Sequence, residues 1–191
     1  MDDRAIIARV AEPAIDLRAF FLEDSRREFR SLKRLAEKAM AQVSDRDFFA
    51  VLDPESNSIA VLVKHIAGNA RSRWTDFLTS DGEKPDRKRD AEFELTSADT
   101  RGSLLERWES GWSALFASIE ALTPSDLARE VPIRGEPHLV MRAIHRQLTH
   151  YADHIGQIVL LSKHWAGGAW QTLSIARGKS EELNQKLRDR R

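Results

Sequence analysis

The segment His150-Tyr151-Ala152-Asp153-His154 places two imidazoles four residues apart inside a long helical pattern. On an α-helix such positions lie about 40° apart on one face, one turn above the other. Two side chains at this spacing can hold one metal ion between them. Two ligands rarely suffice, and His65, on another helical segment, is the candidate third. The same five residues have the form H-x-x-D-H, close to the inverted zinc-peptidase motif H-x-x-E-H. The acid here is Asp153, one methylene shorter, and its position falls on the charged side of the helix. The forward motif fails because Tyr151 stands where a catalytic Glu is needed. Peptidase activity is not expected.

The elements that must position these residues are helical. Leu17, Phe21, Phe29, Leu32, Leu35 and Ala39 keep helical spacing over a first long helix from about Ala14 to Val43. Asp53-Pro54-Glu55-Ser56-Asn57 interrupts it, and Asn57 or Ser58 caps a second helix reaching about Leu78. A polar connection from Thr79 to about Thr100 follows, long enough to suggest a functional or crossover role. The third helix covers Arg101 to Leu122, with Trp108 and Trp112 on its apolar stripe. Thr123-Pro124-Ser125-Asp126 stops it and starts a short turn, and Val131 to Pro137 reads as an extended pair around a Gly turn. The fourth long helix runs from about His138 to His164, ended by Gly167-Gly168, and a short helix from Ser180 to Arg188 closes the chain. Nine Gly, six Pro and few alternating stretches point to one all-α domain over residues 1–191. Four long helices with a long central connection form a four-helix bundle with a crossover between helices two and three.

Composition narrows the chemistry. The chain has no cysteine, which excludes disulfides, thiolate ligands and a Cys nucleophile; any metal must be held by His, carboxylate or water. Lys+Arg and Asp+Glu both count 30, so no global field draws the chain to nucleic acid or lipid. Arg87-Lys88-Arg89 is flanked by Asp86 and Asp90 and reads as a solvated loop. No apolar run has the length of a membrane span, and Met1–Arg4 is acidic without a signal-like core. The expectation is a cytoplasmic protein without nucleic-acid or membrane partners.

At about 100° per residue, Val140, Ile144, Leu148, Tyr151, Ile155, Ile158 and Val159 form the core stripe of the fourth helix. Arg142, His145, Thr149, Asp153 and Lys163 form its charged side. His150 and His154 lie between, on a small polar face with Ala143, Gln147, Gln157 and Leu161. On the second helix Ile59, Val63, Ile66, Ala67, Ala70, Trp74 and Phe77 make the core stripe, while Lys64 and Arg71 face water. His65 shares a third face with Ser58, Leu62, Asn69, Ser72 and Asp76. If the two faces meet across a groove, three imidazoles converge. Spacing alone leaves open that they are ordinary boundary residues, as His138, His145 and His164 are read to be. Trp74, Trp108 and Trp112 read as core; Trp165 and Trp170 either pack at a dimer contact or roof the groove.

Two stretches carry a family resemblance. The run from Asn57 to Asn69, with Ser72-Arg73-Trp74 and Asp81-Gly82-Glu83-Lys84-Pro85 beyond it, resembles the DinB-like superfamily of metalloproteins. Arg146 to Ile158 is similar to that superfamily's last-helix signature H-x-x-x-H-x-G-Q, and Trp170 to Ser180 resembles the tail of one uncharacterised branch. The resemblance spans Leu17 to Asn184. It implies a four-helix bundle with the crossover, assembled as a homodimer, holding one divalent metal ion, zinc or nickel, on His65, His150 and His154. It also implies relatives that are thiol-dependent transferases using low-molecular-weight thiols, others that are isomerases, and many without an assigned activity. Three imidazoles leave a metal with open positions, the pattern of a catalytic site. Asn69, Arg73 and Gln157, near the ligands, are candidates for orienting a substrate or a water beside the metal. The function expected is a metal-dependent transferase or hydrolase acting on a small molecule. The alternative is a noncatalytic metal-binding stress-response protein.

Overall fold

The computed structural model describes residues 15–189. Met1–Arg4 and Ala14, the expected start of the first helix, lie outside them. The fold is mostly helical with one small sheet: α1 (Leu17–Met40), α2 (Asp45–Phe49), α3 (Ile59–Trp74), α4 (Arg101–Ala121), β1 (Glu130–Ile133), β2 (Glu136–Leu139), α5 (Val140–Ala166) and α6 (Ser180–Arg188). β1 and β2 pair antiparallel around Arg134-Gly135, both at positive φ, where the sequence predicts an extended pair about a Gly turn. The short helix α2 is not foreseen by the periodicity; Ser44 caps it by accepting the Asp47 N–H.

Helix ends follow local chemistry. Asp16 accepts the N–H groups of Arg18 and Ala19, so α1 begins after it. Leu17, expected on the apolar stripe, is exposed as a result of lying in this first turn. Ser58 accepts from Val61, as the sequence predicts. Thr100 and Ser103 form a reciprocal capping box at the start of α4. α3 stops at Trp74 rather than Leu78 because Asp76 takes a positive φ and its carbonyl accepts from Thr79 and Ser80. α5 starts at Val140 rather than His138 because the hairpin claims His138 and Leu139.

The directions of the long helices can be read from their contacts. Gly111 lies against Ala67, and the Ser118 hydroxyl donates to the Trp74 carbonyl at 2.6 Å, so α3 and α4 run parallel. Arg26 of α1 donates to the carbonyls of Ile119, Glu120 and Leu122 at the C-terminal end of α4, while Arg101 of α4 donates to those of Met40 and Val43 at the C-terminal end of α1. These two helices are therefore antiparallel, each arginine satisfying the open carbonyls at the other's C-terminus. Phe29 meets Tyr151 and Gln42 donates to Gln171, which makes α5 parallel to α1 and opposed to α3. Phe29, Trp74, Trp112 and Tyr151, one from each long helix, meet edge to face at the centre of the core, with ring centroids 5.5–6.5 Å apart.

Because α3 and α4 are parallel, the connection between them must travel back along α3. It is held by polar contacts on the way. Asp81 accepts the N–H groups of Arg134 and Gly135 in the hairpin turn. The Ser72 hydroxyl donates to the Gly82 carbonyl and accepts from Lys84 N–H. Two sequence expectations change here. Lys64 does not face water: its stem is covered and its ammonium bonds Asp99 and the Glu94 carbonyl. Arg87 is not part of a solvated loop; its side chain is buried against Glu83 and Glu92, and only Lys88 and Arg89 of that run are exposed. No helix of the described residues is long and apolar enough to cross a membrane.

Two measurements test this packing. A Cβ on Gly111 would stand 2.9 Å from the Ala67 carbonyl oxygen, a backbone atom that cannot move aside. Gly111→Val is expected to lower stability by about 1–3 kcal/mol, read as a lower denaturation midpoint. Burial pushes the Asp99 carboxyl up, but the Thr96 N–H and Lys64 outweigh it and hold its pKa at about 2, below the ordinary 3.8. Its contribution is thus complete above pH 4 or so and lost as pH falls toward 2. Asp99→Asn should lower the melting temperature at pH 7 and shrink the further loss over that acid range; an unchanged acid limb would contradict this.

Candidate metal centre

His65 projects from α3, and His150 and His154 from successive turns of α5. Their ring nitrogens converge: His150 Nε2 lies 3.2 Å from His65 Nε2 and 3.0 Å from His154 Nε2. The three ligand atoms all fall within 4.8 Å of one another. Nitrogens bound tetrahedrally to zinc at about 2.0–2.1 Å stand about 3.3–3.4 Å apart, so the two edges that meet at His150 need only slight opening to take an ion. His65 is buried, with its ring against Phe93 at a centroid distance of 4.7 Å, and the other two are half-buried.

Proton placement supports the fit. His65 Nδ1 lies 2.8 Å from Glu92 Oε2, and Arg87 binds both oxygens of that carboxylate at 2.8 Å. Burial raises the Glu92 pKa, but the bonds from His65 and Arg87 overcome it and hold the carboxyl below its ordinary value. An ionised carboxylate only accepts, so the His65 proton sits on Nδ1 and Nε2 presents a lone pair. His150 Nδ1 faces Gln147 Oε1 at 3.4 Å, which likewise turns the Nε2 lone pair inward. Burial, then the charges of His154 and His65, push the His150 imidazole down to about 3, and burial lowers His154. The inward lone pairs of His65 and His150 repel each other and suit a cation. His154 Nδ1 is buried without a partner.

A cavity of about 460 Å³ opens over His65 and His150. Asn69, Arg73, Arg87, Arg146, Gln147 and Asp153 are among the residues lining it. Asn69 is buried and accepts the Tyr151 hydroxyl at 3.1 Å. Arg73 is buried beside Glu83. Gln157 lies apart from this cavity, half-buried and donating to Asp153 at 3.4 Å. Trp165 and Trp170 pack on the edge of the core and neither lines this cavity, so they do not roof it. A second cavity, of about 510 Å³, shares Arg87 with the first and includes none of the three histidines.

The faces that carry the three histidines are legible in the sequence, but their meeting and the residues that support them are not. Glu92 sits in a short 3-10 turn, Asp90–Phe93, that packs on α3. Periodicity cannot find a residue there; the length and charge of the connection were the one available signal. Ala143 is buried, whereas Gln147, though 3 % exposed, still lines the cavity. Gly68 lets the carboxylate of Glu92 approach, since a Cβ at that position would overlap it.

A family model described as Protein of unknown function (DUF1572) matches residues 16–179, and the chain belongs to that family. No curated protein matches the sequence.

Glu92 fixes the proton and orientation of His65, so removing it should weaken metal binding without removing a ligand. Glu92→Ala is expected to reduce zinc affinity about 10–100-fold in a competition titration with a chromogenic chelator. Wild-type affinity in that variant would show that the carboxylate does not orient the ligand.

Proposed function

We propose that the protein is a metal-dependent enzyme of the DinB-like four-helix-bundle type, a thiol-dependent transferase or hydrolase acting on a small molecule. The observation that carries this is the convergence of three imidazole nitrogens, two of them on rings that line a cavity of small-molecule size. His65, His150 and His154 would hold the ion, zinc or nickel. A divalent ion with three protein ligands keeps a position open, and it lowers the pKa of a water or thiol placed there. The chain's own part is to hold the His150 and His154 rings neutral, to keep His65 oriented through Glu92, and to present Asn69 and Gln147 beside the reacting position. Parallel packing of α3 on α4, with a connection returning along α3, supports the bundle with its crossover. The resemblance extends the reading to a cytoplasmic homodimer.

Metal analysis of the purified protein tests the proposal. The wild type is expected to retain close to one zinc or nickel ion per chain, and His150→Ala to lose it. Added zinc should raise the melting temperature of the stripped wild type alone, with light scattering of the same sample giving the mass of a dimer. The metal-loaded protein should then turn over an electrophile in the presence of a small thiol, or hydrolyse an activated ester. Wild-type protein that takes up no ion and gains no stability from either metal would sink the proposal.

A further inference from the structure

The cavity over the histidines is basic. Arg73, Arg87, Arg89, Arg134 and Arg146 line it, and Asp153 is the one acidic residue among its lining residues. Three of these cations have counterparts. Arg87 is paired with Glu83 and Glu92, Arg134 lies 3.3 Å from Glu83, and Arg89 lies 3.7 Å from Asp90 and over the Phe93 ring. Arg73 and Arg146 differ. Arg146 is exposed and makes no ion pair among the described residues. Arg73 is 3 % exposed, and its Nε and Nη1 are buried without any hydrogen-bond partner. Its nearest paired carboxylate oxygen, Glu83 Oε2, stands 4.0 Å from Nη2, beyond hydrogen-bond reach.

A buried guanidinium with unbonded donors is costly, and native structures keep such groups where something else pairs with them. Burial, and the nearby charges of Arg146 and Arg87, disfavour its cationic form, with Glu83 opposing. The structure thus concentrates positive charge at one end of the cavity and leaves it short of acceptors. His65, Asn69 and Arg73 follow one another on one face of α3, about 12 Å from first to last along the helix axis. The Arg73 guanidinium packs against Gly82 of the connection and lines the same cavity as His65 and His150.

We infer that the cavity binds a small molecule carrying an oxyanion, a carboxylate or a phosphate, with Arg73 and Arg146 holding the anionic group and the rest extending toward the histidines. The guanidinium fork matches either anion through two parallel N–H···O bonds. That the far end of the molecule reaches a metal rests on the function proposed above; the anion site rests on the arginines alone. The groove therefore selects an acidic metabolite over a neutral or cationic one, by attraction at Arg73 and Arg146.

Calorimetric titration of metal-stripped and zinc-loaded protein with inorganic phosphate and, separately, with malonate tests this. The wild type should bind at least one of the two saturably, and the better binder assigns the anion. Arg73→Gln should weaken that binding about 10–100-fold, and Arg146→Gln, at an exposed position, about two- to fivefold. The second variant carries the test if the first does not fold. His150→Ala should keep the anion affinity of the stripped wild type while losing zinc. Protein that takes up no zinc but binds the anion through Arg73 would remove the metal proposal and leave this one standing. Zinc uptake with neither anion bound, or with both arginine variants binding as the wild type does, would overturn the anion site alone.

Discussion

Helix α3 is enclosed along most of its circumference, and yet His65, Asn69, Ser72 and Arg73 are among its buried residues. A buried polar group left without a partner costs about 1–3 kcal/mol, so each of these needs a partner from the chain or from what enters the cavities beside it. Much of the structure can be understood as answering that demand. Tyr151 of α5 donates to Asn69, and Glu92 accepts from His65. The Gly82 carbonyl and the Lys84 N–H complete Ser72. Arg73 is the member whose donors stay open, and it faces the cavity.

The partners come from a segment that topology brings there. α3 and α4 are parallel, so the chain must return along their length before α4 can begin. A connection laid over a buried helix needs its own backbone and side-chain groups paired. Asp81, Glu83, Arg87, Glu92 and Asp99 meet that need while they pair with α3 and the hairpin. The polar composition of the segment, which in sequence resembles a solvated loop, is thus the composition of a wall built against a polar helix face. Fold and site share their parts: the contacts that hold the connection down also orient His65.

The same arrangement explains the electrostatics. Arg87 and Glu92 neutralise each other, so the carboxylate can face an imidazole without adding net charge to it. Burial keeps His150 and His154 neutral, the form in which they can act as ligands. The uncompensated arginines gather at the other end of the cavity. One groove therefore offers a metal-binding end and an anion-binding end.

Whatever depends on neighbours within a turn or two is legible in the residues alone. Helical period marked the four long helices, the core placement of Trp74, Trp108 and Trp112, and the cap at Ser58. The His150/His154 pair is local in the same sense, since the geometry of one helix stacks residues four apart. His65 was legible as a residue on a face neither apolar nor charged. Long-range contacts are not. Only packing shows that the faces bearing His65 and the pair meet, that Lys64 is covered by Asp99, and that Arg87 is buried while Lys88 and Arg89 are not. Glu92 reaches His65 from 27 positions along the chain through a segment without period, so no spacing rule could find it. The division has one physical cause. Period reports which side of an element avoids water, whereas the choice of partner for a buried polar group is made by whatever chain the fold lays beside it.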